Sequence, residues 1–131
     1  ILYTGYDISS DLISECQARI KYDWASFQVG TRPEKNTMFT VMSGTYNLAA
    51  TRDLNLWESH VIGCLIKCWE KTERAMVFNM QISKKSWISS NNIYYVETDK
   101  ILELCVSLFG PTKIIKHRKI PTDITLSVRR R

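Results

Sequence analysis

Apolar residues recur at helical spacing between Asp53 and Arg74 more clearly than anywhere else in the chain. Trp57, Val61, Cys64, Leu65, Cys68 and Trp69 share one face, widened by Ile62 and Ile66. Glu58, Ser59, His60, Gly63, Lys67, Glu70, Lys71 and Arg74 fall on the other. The spacing predicts a helix over 56–71. Asn55 followed by Glu58 has the form of a capping box, in which a short polar side chain takes an orphan amide and the acid reaches back. Twelve residues separate Trp57 from Trp69, about 120° of net rotation, so the two rings flank the buried face from two sides. A helix this apolar on one side needs a flat surface to cover, and strand-like stretches flank it on both sides.

Before it, Ile1 to Gly5 reads as an extended lead-in. Ser9 or Ser10 caps a short helix carrying Leu12, Ile13 and Cys16, with Asp11 and Glu15 in its early turns. From Arg19 the period becomes two, with Ile20, Tyr22 and Trp24 on one side. A phase slip at Ala25-Ser26 predicts a bulge before Phe27 and Val29. Residues 30–36 are polar and punctuated by Gly30 and Pro33, hence a loop, and Met38 to Tyr46 returns as a strand. After the central helix, Met76, Phe78, Met80 and Ile82 alternate with polar or smaller partners, a half-buried strand. Trp87-Ile88 follows, then a turn at Ser89 to Asn92 and a strand over Ile93 to Glu97. Thr98 or Asp99 caps a helix with an Ile101, Leu102, Cys105, Leu108 and Phe109 stripe, stopped by Gly110-Pro111. Lys113 to Ile120 and Ile124 to Val128 read as strands about a turn at Pro121-Thr122-Asp123.

These elements predict an α+β fold: a single domain over 1–131, with a mostly antiparallel sheet packed by a long central helix and a shorter second helix. The length, 131 residues, suits one core. The chain opens at Ile1 without a methionine and reads as a fragment of a longer one. The longest apolar run, Val61 to Ile66, is too short to span a bilayer. Cys64 and Cys68 lie four apart on one helix, a poor geometry for a disulfide, and Cys16 and Cys105 read as buried small residues. A reducing compartment fits that usage.

Catalytic patterns are thin. The chain has two histidines, His60 and His117, and no phosphate-cradling or dinucleotide-binding glycine pattern. The acid pairs Asp7/Asp11 and Glu70/Glu73 read as solvated helix surface. The expectation is therefore no enzyme and no cofactor. His60, Cys64 and Cys68 repeat at four-residue spacing, but helical rotation carries the outer two apart. Two buried thiols and an exposed imidazole are favoured, with no metal site.

Charge changes this picture. Residues 1–110 hold 11 Lys and Arg against 12 Asp and Glu, whereas residues 111–131 hold 7 against 1. The net +5 of the chain therefore resides in its last 21 residues. Lys113, Lys116, Arg118, Lys119, Arg129, Arg130 and Arg131 are the candidate polyanion-binding residues, one patch if the turn at Pro121-Thr122-Asp123 brings both runs together. Such charge attracts RNA or anionic lipid without sequence readout; the alternative is an edge strand protected from aggregation by its charges. Trp87 and Ile88, beside Lys84-Lys85, are a candidate interface anchor for a membrane or protein partner, or else a cap on the core.

Met38-Phe39-Thr40-Val41, then Leu54-Asn55-Leu56-Trp57, an apolar helix ending at Cys68-Trp69-Glu70 and a strand around Val77-Phe78 together resemble the core of rhabdovirus matrix proteins. The likeness covers residues 38–83, without the family's Pro-Pro-x-Tyr motif or lysine-rich N-terminal arm. It implies a structural viral protein, a divergent plant-virus member, that self-associates and links the nucleocapsid to the membrane envelope. The partners so implied are viral nucleocapsid or RNA, an anionic membrane surface and further copies of the chain. Its location would be the virion and the host cytoplasm, with peripheral membrane association. The alternative function is an RNA-binding module without self-assembly.

Overall fold

The computed structural model describes Ile1–Arg131, which fall into two units, Ile1–Asn36 and Thr37–Arg131. In the first, β1 (Tyr3–Asp7), α1 (Ser10–Arg19) and β2 (Ala25–Val29) form a strand–helix–strand crossover. The two strands are parallel, in a register running from Tyr3 opposite Ala25 to Asp7 opposite Val29. Parallel neighbours need a long connection, and α1 supplies it. Ser9 is the N-cap, its hydroxyl accepting from the Leu12 amide at 3.3 Å. A Cβ at Gly5 would lie 2.9 Å from the Phe27 ring, so a side chain there would force that ring to shift. The lead-in at Ile1 to Gly5 is thus part of a strand. The strand expected from Ile20 begins only at Ala25: Tyr22 and Trp24 stack on each other, ring centres 5.1 Å apart, and remain exposed.

The second unit contains β3 (Thr37–Met42), α2 (Leu54–Glu70), β4 (Thr72–Ser83), β5 (Trp87–Ile88), β6 (Tyr94–Glu97), α3 (Thr98–Phe109), β7 (Thr112–His117) and β8 (Ile120–Arg129). Its six-stranded sheet runs β5-β6-β4-β8-β7, with β3 also on β4. Strands β3 and β6 are parallel to β4, whereas β8 is antiparallel to both β4 and β7. The chain is therefore α/β with mixed sheet pairing, which corrects the mostly antiparallel expectation. Strand-like stretches on either side of a long helix are the two strands of a parallel crossover, as in the first unit.

Alternation in β4 and β8 buries Met76, Phe78 and Met80 beside Ile124, Leu126 and Val128. Trp57, Val61, Leu65 and Cys68 of α2, with Ile101, Cys105 and Phe109 of α3, complete this core. The long central helix and shorter second helix are present as expected. Fully burying a side chain such as Phe78 contributes about 1.5–3 kcal/mol. Trp57 is buried, while Trp69 is half-buried against Phe109.

Helix ends differ from the sequence reading. Asp53, not Asn55, caps α2, accepting from the Leu56 amide at 3.0 Å. Glu58 turns away to Tyr94 and Lys100. Glu97 precedes α3 without a side-chain cap bond. The β7–β8 turn falls at Arg118-Lys119, and Pro121 lies in β8, next to a register irregularity where a missing amide is tolerated.

Candidate functional site

In an open sheet with parallel strands, ligands meet the carboxyl ends of those strands, where chain reversals leave loops and helix N-termini exposed. In the first unit that end is occupied by Asp7, the last residue of β1. Its Oδ1 accepts the Ser9 amide at 2.8 Å, and its carbonyl accepts the Gly30 amide at 3.0 Å. The β1–β2 pairing and the Gly30 amide hold the Asp7 backbone, and the Ser9 amide holds its side chain. The carboxylate is half-buried, and its second oxygen can accept further hydrogen bonds. Ile8, the next residue, is exposed and offers apolar surface beside it.

In the second unit the corresponding end is the turn after β3. Gly44 adopts φ +68°, a conformation that favours glycine. Its amide donates to Asn79 Oδ1 at 2.6 Å. Asn47 Oδ1 accepts the Gln81 amide at 3.3 Å, and the Asn47 carbonyl accepts the Tyr94 amide at 2.9 Å. Behind the turn, Asp123 Oδ2 accepts from Asn79 Nδ2 at 2.8 Å and from Gln81 Nε2 at 3.2 Å.

A second polar group lies between the helices. The Tyr94 hydroxyl donates to Glu58 Oε1 at 3.1 Å, and Lys100 Nζ meets Oε2 at 2.7 Å. Burial raises the Tyr94 hydroxyl above its ordinary range, and the neighbouring Glu58 adds to the rise. A hollow lined by Val61, Ile62, Val96 and Leu104 adjoins this group. Its lining is mostly apolar, with Glu58, Tyr94 and Lys100 as the polar members.

The basic residues singled out from the sequence are not one patch. Lys113 is opposite Ser127, whereas Lys116, Arg118 and Lys119 lie toward the hairpin turn. Arg129 to Arg131 are at the far end of β8, about 30 Å from that turn at the strand rise of ~3.3 Å per residue. Arg130 is committed to the fold. Its guanidinium sits 4.3 Å from the centre of the Trp69 ring and donates to the carbonyls of Trp69 and Thr72. It thus caps the Trp69 carbonyl in the last turn of α2 and the Thr72 carbonyl at the start of β4. Trp87 stacks on Tyr95 with ring centres 5.1 Å apart, and Ile88 packs against the core. His60 Nε2 lies 3.6 Å from Cys64 Sγ, while Cys68 is buried. Burial raises the Cys64 thiol, against the lowering influence of Lys67. None of the four cysteines is in a disulfide.

Asp7 drew no site reading from the sequence, because paired with Asp11 it read as solvated helix surface. The usable signal was its position: Tyr3-Thr4-Gly5-Tyr6-Asp7 ends a strand two residues before a serine cap.

No family model and no curated protein matches the chain. Solved structures do share its fold. Magnesium protoporphyrin IX methyltransferase (ChlM) from Synechocystis PCC 6803 with bound SAH superposes with a TM-score of 0.71 at 10% identity, over 99% of this chain and 64% of that one. The DhpI–SAH complex gives 0.66 at 10% identity, over 96% and 64%. A Leishmania major SAM-dependent methyltransferase gives 0.67 at 8%, over 97% and 54%. The chain thus spans less than two thirds of each of these proteins.

At such identities the likeness is one of fold, and the fold is that of SAM-dependent methyltransferases. It overturns the matrix-protein expectation: the strand–helix–strand run over 38–83 is a parallel crossover in this fold. The viral structural role, the alternative RNA module and the nucleocapsid, membrane and self-assembly partners fall with it. The expectation of no enzyme is corrected on the same ground, since structures sharing the fold include SAM-dependent methyltransferases.

Proposed function

We propose that the chain is part of a SAM-dependent methyltransferase acting on a small-molecule acceptor, and that Asp7 holds the cofactor's ribose. The observation that carries this is a carboxylate fixed at the carboxyl end of a parallel strand, in a chain whose fold is shared with SAH-bound methyltransferases. The residues present fit the group. Vicinal ribose hydroxyls are two donors, and Asp7 keeps one oxygen beyond its bond to the Ser9 amide. Exposed Ile8 supplies a surface against which an adenine face can pack.

When bound, SAM supplies an electrophilic methyl group on a sulfonium. The chain's own contribution is binding and orientation: Asp7 accepts from the ribose, and the Ser9 cap keeps its carboxylate from turning.

Calorimetric titration with SAH tests this reading. The wild-type chain is expected to bind. Asp7→Ala should weaken binding by at least about tenfold, the equivalent of a charge-assisted hydrogen bond. Asp7→Asn, which keeps an acceptor but loses charge, should fall between. Equal affinity in the wild type and Asp7→Ala would remove Asp7 from the site.

A further inference from the structure

The polar group between α2, α3 and β6 joins a buried anion to a loosely held cation. Glu58 keeps only 12% of its side chain exposed, whereas Lys100, its partner at 2.7 Å, keeps 49%. A carboxylate withdrawn from water needs a cation, because the Tyr94 hydroxyl at 3.1 Å supplies a hydrogen bond but no charge. Lys100 is a poor occupant of that position. Its ammonium makes no other bond and ends a flexible four-carbon stem. It also belongs to the first turn of α3, where the helix dipole disfavours positive charge. Beside the ion pair, Val61, Ile62, Val96 and Leu104 wall a hollow of about 280 Å³ that opens to solvent. Val61 and Val96 are buried, and Ile62 and Leu104 are half-buried.

We infer that this hollow is a binding site for a small primary ammonium ion that carries an apolar group. The ligand's ammonium takes the place of Lys100 Nζ on Glu58 Oε2, and its apolar part lies against Val61, Ile62, Val96 and Leu104. Lys100 is then a tethered competitor that swings out to solvent when the ligand is bound. Charge fixes the ligand class. A neutral molecule that displaced Lys100 would leave Glu58 buried without a cation, and an anion would meet Glu58 directly. Exchanging one ammonium for another keeps the ion pair, so the gain comes from covering the apolar wall. A hollow of this size admits a single ring or a short alkyl chain. All of these residues belong to the second unit, and the inference does not depend on the methyltransferase reading.

The test is titration of the methyl-labelled chain with benzylamine, protonated at neutral pH, and with benzyl alcohol as its neutral counterpart. The methyl signals of Val61, Ile62, Val96 and Leu104 are followed by NMR. Benzylamine should shift them saturably and bind at least about tenfold more tightly than the alcohol, the equivalent of a charge-assisted hydrogen bond. Lys100→Met keeps the stem and removes the competing charge. It should tighten benzylamine binding by about tenfold, since the carboxylate is then open in every molecule. Glu58→Gln, which still accepts from Tyr94, should weaken benzylamine binding by at least about tenfold. If Glu58→Gln does not fold, Leu104→Phe takes its place: it fills the hollow, spares the ion pair and should abolish the shifts. No saturable shift at these methyls in either the wild type or Lys100→Met overturns the site. Equal binding of amine and alcohol, or equal amine binding by the wild type and Glu58→Gln, overturns the ammonium specificity. Unchanged or weaker amine binding in Lys100→Met overturns the displacement and makes Lys100 a fixed part of the fold.

Discussion

Replacing Arg130 with alanine removes a cation that closes the C-terminal end of α2. The wild-type guanidinium donates to the Trp69 carbonyl at 2.7 Å and to the Thr72 carbonyl, and lies over the Trp69 ring. A hydrogen bond to a charged group is worth about 1.5–3 kcal/mol when shielded, and a cation over an exposed ring adds about 0.5–1. Arg130 is largely exposed, so solvent screening reduces both. The expected loss is therefore about 1.5–2.5 kcal/mol, larger than the few tenths typical of a surface arginine. Urea unfolding of Arg130→Ala, with Arg131→Ala as the neighbouring control, measures it. Arg130→Lys should recover only part, since an ammonium cannot present the planar fork that reaches two carbonyls while covering the ring. If Arg130→Ala and Arg131→Ala unfold at the same urea concentration, the cap contributes nothing to stability, and Arg130 returns to the exposed basic set.

Two further outcomes follow from buried groups. Thr40 and Thr72 share a hydroxyl contact at 2.7 Å, and Thr72 Oγ1 donates to the Cys68 carbonyl at 2.7 Å. Thr72→Val should cost about 1–3 kcal/mol by stranding the Thr40 hydroxyl, and adding Thr40→Val should recover part of it; thermal melts of the single and double variants decide, and equal melting temperatures would show the Thr40 hydroxyl is not stranded. Burial pushes the Cys105 thiol from its ordinary 9.0 up to about 12. A thiol raised in the folded state is protonated in both states below pH 9, so its contribution is fully present there; it is lost as pH rises from about 9 to about 12. Stability should therefore fall across that window, and Cys105→Ala should flatten the early part of the decline; an identical decline in that variant would assign it elsewhere.

Elements set by local chemistry were legible in the residues. The α2 stripe, the β4 alternation, the Ser9 cap and the Gly110 stop depend on neighbours within a few positions, and each is where the pattern placed it. Strand direction was not legible, because nothing in Met38 to Met42 or Ala75 to Ser83 distinguishes parallel from antiparallel pairing. The long intervening helix was the available cue, since tight hairpins cannot contain one. Asp53 rather than Asn55 caps α2, and Glu58, instead of reaching back to the helix start, bonds Tyr94 and Lys100, both distant in sequence. Arg130 looked like one of seven similar cations, and only the return of β8 to the end of α2 sets it apart. The role proposed for Asp7 rests on position rather than residue type, visible once Tyr3–Asp7 is recognised as a strand.

Titrating SAH into the isotope-labelled chain and following every backbone amide locates the cofactor contact without assuming it. Saturable shifts at Asp7, Ile8 and Ser9, lost in Asp7→Ala, are the result expected of a methyltransferase fold that holds the ribose through this carboxylate. Shifts absent from these three residues at saturating SAH, or no shifts anywhere, would contradict it.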